Sequence, residues 1–188
     1  MANFTERAIK ESFLKLLNER PIDKITVKDI VEDCGINRNS FYYHFQDVPM
    51  LLGEIVRDQA EVVITEYPTV DSLEAAMEAI ISFALKNKNA VLHIFNSVNR
   101  DILERNLSEL CEEVIGKYID SIISDRKYTE NDRRIIIGFL KCEFFGVTVN
   151  WLNEGMKQDL MKDTRRFFEM IPSLLEGALK ISESIKNE

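Results

Sequence analysis

Between residues 37 and 46, side chains that donate hydrogen bonds are concentrated in a short segment with no acidic residue. Such donors bind phosphate oxygens and base edges of nucleic acid, and an arginine adds electrostatic attraction to phosphate. Three adjacent residues cannot share one buried helix face, so at least one ring of the Tyr-Tyr-His run is exposed. The alternative is that these rings are ordinary amphipathic surface or core residues. The predicted nucleic-acid contacts in this segment are Arg38, Asn39, Ser40, Tyr42, Tyr43 and His44.

Two short helices joined by a tight turn are predicted to present this surface. Thr26 begins the first helix, with Asp29 three residues later in the pattern of a capping box. Gly35 suits the left-handed conformation that ends a helix, and Asn37 is the N-cap candidate of the second helix. Helix, glycine-containing turn and helix together are typical of a helix-turn-helix motif. Apolar contacts between the two helices are expected from Val27, Ile30, Val31, Ile36, Phe41 and Phe45.

Helical periodicity continues through the rest of the chain. Seven glycines and four prolines in 188 residues are too few for the many turns of a β-sandwich or barrel, which favours an all-α fold. Pro172 is expected to kink the last helix or break it in two. Residues 139–152 are apolar nearly all round, which predicts burial in a core or a subunit interface. Further helices are predicted at residues 4–17, 48–66, 72–86, 88–97, 101–124, 131–153 and 159–186.

The charge of the chain is uneven. The net charge is −8, yet residues 1–48 hold seven basic and eight acidic residues, so the amino-terminal part repels phosphate least. The longest wholly apolar run, residues 135–140, is too short to span a bilayer, and residues 1–10 lack the apolar core of a signal peptide. We therefore expect a cytoplasmic protein with no membrane partner.

Few residues suit catalysis or metal binding. The two histidines lie far apart in the sequence, and no glycine-rich phosphate-binding loop accompanies them, so no enzyme activity, cofactor or metal is expected. His93 has no second histidine or cysteine at metal-ligand spacing. Three widely separated cysteines, Cys34, Cys111 and Cys142, indicate reduced, buried thiols rather than disulfides.

Residues 25–52, ITVKDIVEDCGINRNSFYYHFQDVPMLL, resemble the DNA-binding signature of the TetR family of bacterial transcriptional regulators. The shared features are a threonine-opened helix, a glycine in the turn, an aromatic recognition helix and a fourth helix directly after it. The later segment FFGVTVNWLNEGM resembles the dimer helix of many members. The resemblance implies a three-helix helix-turn-helix DNA-binding domain at residues 1–48. It also implies a helical bundle for ligand binding and dimerisation at residues 49–188.

The same resemblance implies a role for each predicted DNA contact. Thr26 and Lys28 are assigned to phosphate from the second helix of the chain, which is the first helix of the motif. Base edges are assigned to Arg38, Asn39 and Tyr43, and the DNA backbone to Ser40, Tyr42 and His44.

One position departs from the signature. The fourth helix of the family usually opens with a lysine that contacts phosphate, where this chain has Val48 followed by Pro49. Loss of one phosphate contact is expected to lower the salt dependence of DNA binding by about one unit of slope.

The resemblance further implies a homodimer on a near-palindromic operator of double-stranded DNA, with the last two helices of each protomer in a four-helix bundle. The expected function is that of a dimeric repressor released by a small-molecule effector. The alternative is a helical adaptor or co-activator controlled by a protein partner. Candidate effector-pocket residues, for each of which core packing is the alternative, are Phe83, His93, Phe95, Asn96, Tyr118, Phe144 and Trp151.

Overall fold

The computed structural model describes residues 2–67, 73–123 and 129–185, and within them the chain is helical with no β-strand. This confirms the predicted all-α fold. A short 3₁₀ helix, Ile22–Lys24, separates the first two α-helices. The α-helices of the described residues are α1 (Ala2–Glu19), α2 (Val27–Cys34), α3 (Arg38–His44), α4 (Val48–Glu66), α5 (Leu73–Lys86), α6 (Lys88–Phe95), α7 (Arg100–Ile123), α8 (Glu130–Asn153) and α9 (Leu160–Ile185).

The chain divides into two compact units. The first consists of Met1–Val62 and Phe83–Leu107, and the second of Val63–Ser82 and Ser108–Glu188. The first unit thus contains α1 to α3, most of α4, and α6. These units are defined by packing, and the predicted boundary between a DNA-binding domain and a ligand-binding domain after residue 48 stays a prediction.

The core of the first unit is centred on α1. Ile9, Phe13 and Leu17 recur at intervals of four residues and are buried, so one face of α1 contacts the interior. The side chains of α2 and α3 join the same cluster through Ile30 and Phe41. Removing this apolar surface from water is the main force that holds the short helices in place.

The second unit has its own core, formed where α7, α8 and α9 meet. Ile119 and Ile171 are almost inaccessible to solvent and cluster with Ile137 of α8. The guanidinium of Arg133 binds the carboxylate of Asp120 through two hydrogen bonds of 2.6 and 2.8 Å, which ties α8 to α7. A bidentate pair of this kind is fixed in direction as well as in distance.

Pro172 does not break the last helix. Of the two outcomes expected at this proline, the break is wrong, because α9 is continuous from Leu160 to Ile185, and the kink stays a prediction. Burial of Leu160, Thr164 and Ile171 along one face explains this result, since packing offsets the hydrogen bond that proline removes.

The three cysteines are free thiols, as expected. Cys34 and Cys111 are partly buried, and burial raises the pKa of the Cys111 thiol to about 11. The expectation of buried thiols is wrong for Cys142, which is exposed on α8.

Among the described helices, α8 is long and apolar enough to cross a membrane by length and composition, and 17% of its most apolar window is buried. The uninterrupted apolar run at residues 135–140 is short, but the helix stays apolar beyond it because its polar residues are well separated. The length of the longest apolar run therefore underestimates how apolar α8 is as a whole.

Candidate nucleic-acid interface

Helix α2 begins with a complete capping box. The Thr26 hydroxyl oxygen accepts the Asp29 N–H at 3.3 Å, and the Asp29 carboxylate accepts the Thr26 N–H at 2.8 Å. The Thr26 hydroxyl also donates to this carboxylate at 2.6 Å. These bonds, with a smaller effect of the Arg20 charge, lower the pKa of Asp29. The predicted cap is confirmed, and it fixes where the first helix of the motif starts.

The turn between α2 and α3 has the predicted chemistry. Gly35 has φ of 71°, a left-handed conformation that costs glycine little, and its N–H donates to the Val31 carbonyl. Asn37 then caps α3, because its side-chain oxygen accepts the Ser40 N–H at 2.8 Å. Both predicted caps are confirmed, so the direction of α3 is determined by local bonds at each side of the turn.

Burial of two phenylalanines sets the outward face of α3. Phe41 is fully buried and Phe45 is 2% exposed, and their ring centroids lie 5.8 Å apart. Because a helix advances 100° per residue, this anchoring directs the neighbouring side chains outward. Tyr42 and Tyr43 are 55% and 81% exposed, and Tyr43 meets the ring of His44 edge-on. Tyr43 is therefore not a core residue, and Tyr42 is more than half exposed although its ring meets that of Phe41 edge-on at 5.5 Å.

The predicted contacts outside the aromatic run also reach the surface. Thr26, Lys28, Arg38 and Asn39 are exposed, whereas Ser40 and His44 are partly exposed. Lys28 lies 3.7 Å from Glu32, but both side chains are about two-thirds exposed, and such pairs contribute little. Within the described ranges, Arg38 has no ion pair, so its positive charge is available to a polyanion.

Two hydroxyls of the predicted set are already engaged inside the motif. Thr26 donates to Asp29, and the Ser40 hydroxyl donates to the Asn37 side chain at 3.2 Å. Their phosphate roles stay predictions, as do the base-edge and backbone assignments of the other contacts. Thr26 and Ser40 thus also have a structural role, because their hydroxyls form hydrogen bonds at the helix caps.

Two contacts between α1 and α2 support the motif and are not indicated by the sequence pattern. The Lys15 ammonium binds the Asp33 carboxylate at 2.5 Å, and the Ser12 hydroxyl donates to the Ile30 carbonyl at 3.2 Å. The bond from Lys15 is the first cause of the lowered pKa of Asp33. Partners eighteen residues apart leave no local signal, so only the fold reveals them.

The start of α4 lacks a cation. The Asp47 carboxylate accepts the Met50 N–H at 2.7 Å and so caps α4. Val48 packs against the core of the first unit and Pro49 is exposed in the first turn. The position that the TetR signature gives to lysine therefore carries no positive charge here.

The pocket candidates of the first unit take part in packing and internal hydrogen bonds. The Nδ1 atom of His93 lies 2.8 Å from the Leu17 carbonyl. Phe95 is buried, with the Arg100 guanidinium 3.9 Å from its ring centroid, while exposed Asn96 donates to a backbone carbonyl of its own helix. Phe83 is partly buried.

The candidates of the second unit divide between its core and a cavity. Tyr118 lies in the core, and Phe144 meets Phe167 edge-on at 5.7 Å. Trp151 borders a cavity of about 340 Å³, and its indole N–H donates to the Gln158 carbonyl at 3.0 Å. Effector binding by any of the seven stays a prediction. Among the described residues, no group of three or more His, Cys, Asp or Glu side chains is placed to hold a metal.

Two family models match this chain. Residues 13–48, which include the capped helices and the turn, match the model described as "Bacterial regulatory proteins, tetR family". Residues 71–173, more than half of the chain, match a TetR model described as "Transcriptional regulator C-terminal region". The chain belongs to the TetR family of bacterial regulatory proteins. As a TetR-family member with a helix-turn-helix, it is a DNA-binding transcriptional regulator.

Curated relatives of this TetR-family protein are also regulators by name. It is 33% identical to the "Uncharacterized HTH-type transcriptional regulator YxbF" of Bacillus subtilis (strain 168) over 61 residues. That match covers 32% of this chain but 16% of YxbF, so the chain spans a small part of that relative. An "HTH-type transcriptional regulator" of Staphylococcus aureus (strain USA300) is 22% identical over 157 residues, covering 79% of this chain and 84% of the relative.

Solved structures show the same TetR-family fold over nearly the whole length. The "Dihydroxyacetone kinase operon activator DhaS" matches with a TM-score of 0.74 and 20% identity, covering 95% of this chain and 97% of that chain. A TetR transcriptional regulator from Streptococcus agalactiae 2603V matches with a TM-score of 0.60 and 21% identity, covering 90% and 94%. At these identities the likeness concerns the fold.

Proposed function

We propose that this regulator binds a near-palindromic operator as a homodimer in the cytoplasm, represses transcription, and is released by a small-molecule effector. The observation that carries the DNA-reading part is the outward face of α3. Its exposed Tyr43 and Arg38 are held in place by buried Phe41 and Phe45. A rigid helix with outward donors is what direct readout in the major groove requires.

Exposed apolar side chains on the last two helices support the homodimer. Ile135, Phe139 and Val147 of α8 and Met170 of α9 are all among the exposed large hydrophobic residues. Apolar surface of this kind marks protein or membrane contacts. A near-palindromic operator requires a dimer, because its two half-sites lie in successive major grooves about 34 Å apart.

The polar contacts of α8 favour a protein partner over a membrane. Arg133 binds Asp120 of α7, and Lys141 binds Glu112 of the same helix. Insertion of α8 into a bilayer would separate or bury these ion pairs, which is costly in hydrocarbon. A second protein surface covers the apolar side of α8 while leaving its ion-paired side on α7.

Release by an effector is proposed as a shift between two dimer conformations. An effector that binds one conformation more tightly raises the population of that conformation, and an effector with equal affinity for both changes nothing. Catalysis is not part of this proposal, because operator binding and release need no chemical step.

A second candidate is an activator that answers to a protein partner. Its support is the likeness in fold to DhaS, which is named as an operon activator and matches 95% of this chain. Transcription in vitro from the promoter next to the operator separates the two candidates. Repression predicts less transcript when the protein is added, whereas activation predicts more.

Fluorescence anisotropy across a salt series tests operator binding. The intact protein is titrated against the duplex upstream of its own gene and against a random duplex of equal length. Tight, salt-dependent binding that the random duplex does not match supports the proposal. Equal affinity for both duplexes, and for a selected random library, would overturn sequence-specific regulation and favour the adaptor.

A further inference from the structure

One side of α8 is open in the protomer. The exposed positions recur every three or four residues, so they lie on a single helix face. Phe139 is the most accessible of the large hydrophobic residues of α8, with 77% of its surface exposed. The positions on this open face are Ile135, Phe139, Cys142, Gly146 and Asn150.

The 340 Å³ cavity opens on the same face, toward the carboxyl end of α8. Gly146 and Val147 line it from α8, and Leu160 lines it from the start of α9. Trp151 is buried in its wall and is fixed by the bond to the Gln158 carbonyl. Pockets that hold small ligands range upward from about 300 Å³, so a cavity of this size has room for one aromatic ring.

We propose that Phe139 inserts into this cavity of a second copy of the chain and packs over Gly146 of the partner subunit. The inference rests on the proposed homodimer and specifies its contact. In a two-fold interface each contact occurs twice, so Phe139 of the partner subunit fills the first cavity. The midpoint of α8 between Phe139 and Gly146 lies between Cys142 and Glu143, and the two-fold axis passes there.

The open face of α8 is complementary to itself, which favours a second copy of the chain as its partner. The protruding ring and the glycine that leaves room for it lie on one face, about two turns apart. Ile135 and Asn150, the ends of the open face, are symmetric about the same midpoint. Pairing two copies in this register covers the whole face, whereas a small molecule in the cavity leaves Phe139 exposed.

Gly146 allows the cavity to be closed without damage to the protomer. A Cβ atom at Gly146 meets no heavy atom within 4 Å, so Gly146→Leu is compatible with the folded chain. Leucine also forms helices more readily than glycine. Gly116 of α7 has the same open surroundings, so Gly116→Leu is the matched control.

Sedimentation equilibrium of the intact protein measures the dimer dissociation constant for each variant. Phe139→Ala removes the inserted ring and Gly146→Leu fills its place. Because central buried aromatic residues dominate interfaces, each change is expected to raise the dissociation constant about 100-fold. Gly116→Leu is expected to leave it unchanged.

Cysteine cross-linking tests the register independently. A short bismaleimide is added to a variant in which Cys34 and Cys111 are replaced by alanine, so that Cys142 is the remaining thiol. Covalent dimers are expected, because the two Cys142 thiols lie next to the axis. They are expected to disappear with Cys142→Ala and to decrease with Gly146→Leu.

The outcomes separate this inference from the homodimer itself. A dimer that resists both Phe139→Ala and Gly146→Leu and gives no Cys142 cross-link overturns the register and leaves the homodimer standing. A wild-type chain that stays monomeric at all concentrations overturns both.

Discussion

The side chain of Asn18 caps α6 from another helix: its Oδ1 atom accepts the N–H of Ala90 at 3.3 Å. The residue before α6, Asn87, makes no side-chain cap bond of its own. Asn18 is held by donation of its amide to the Leu14 carbonyl at 2.9 Å. A bond between residues 18 and 90 thus satisfies a helix terminus that the local sequence leaves open.

Removal of this cap is expected to destabilise the protein. Asn18→Ala leaves the Ala90 N–H without its partner, which costs about 1–2 kcal/mol of unfolding free energy. Urea denaturation followed by circular dichroism measures the change. Asn89→Ala is the control, because exposed Asn89 makes only a 3.4 Å bond to the Asn18 carbonyl. Equal losses from the two variants would contradict the assigned cap.

The capping box of α2 predicts a pH dependence of stability. The pKa of Asp29 is lowered in the folded protein, chiefly by the bonds from Thr26. A lowered pKa means that the stabilisation is complete above the ordinary carboxyl value near 3.8 and is lost as pH falls below it. The difference in unfolding free energy between wild type and Asp29→Asn should shrink in that range. Thr26→Ala should show a smaller pH effect than wild type, and an identical profile would refute Thr26 as the main cause of the lowered pKa.

The sequence predicts the DNA-binding motif well because its determinants are local. Thr26 and Asp29 lie three residues apart, and Gly35 acts through its own φ, so each effect is visible in a short window. The exposed tyrosines follow from helical periodicity once Phe41 is anchored in the core. All these features are confirmed by the geometry of α2 and α3.

Long-range contacts account for what the sequence could not predict. The ring nitrogen of His93 contacts the Leu17 carbonyl, 76 positions away, which no local pattern indicates, and its pocket role stays a prediction. A kink or a break is predicted at Pro172, but α9 does not break, and burial of Thr164 and Ile171 supports its continuity. Cys142 reads as a buried thiol, since the pattern of α8 does not distinguish a protein core from an unpaired surface.

A lysine at position 48 is expected to restore the missing phosphate contact. Val48→Lys should increase the slope of log Kd against log salt concentration by about one unit per protomer. Val48→Gln is the matched control, because it loses the same packing against the core without adding charge. Anisotropy titrations from low to moderate salt measure both slopes. If lysine and glutamine gave the same slope, position 48 would not face phosphate.

The exposed tyrosines of α3 separate base reading from backbone contact. Tyr43, 81% exposed, is assigned to base edges, so Tyr43→Ala should reduce the preference for operator over random duplex by about tenfold. Tyr42→Phe removes only a hydroxyl assigned to the DNA backbone, so it should weaken binding to operator and random duplex by the same factor. Competition anisotropy with both duplexes measures the ratio of affinities for each variant. Neither side chain is buried, so both variants should fold as wild type does, and equal changes in that ratio would reject the division of roles.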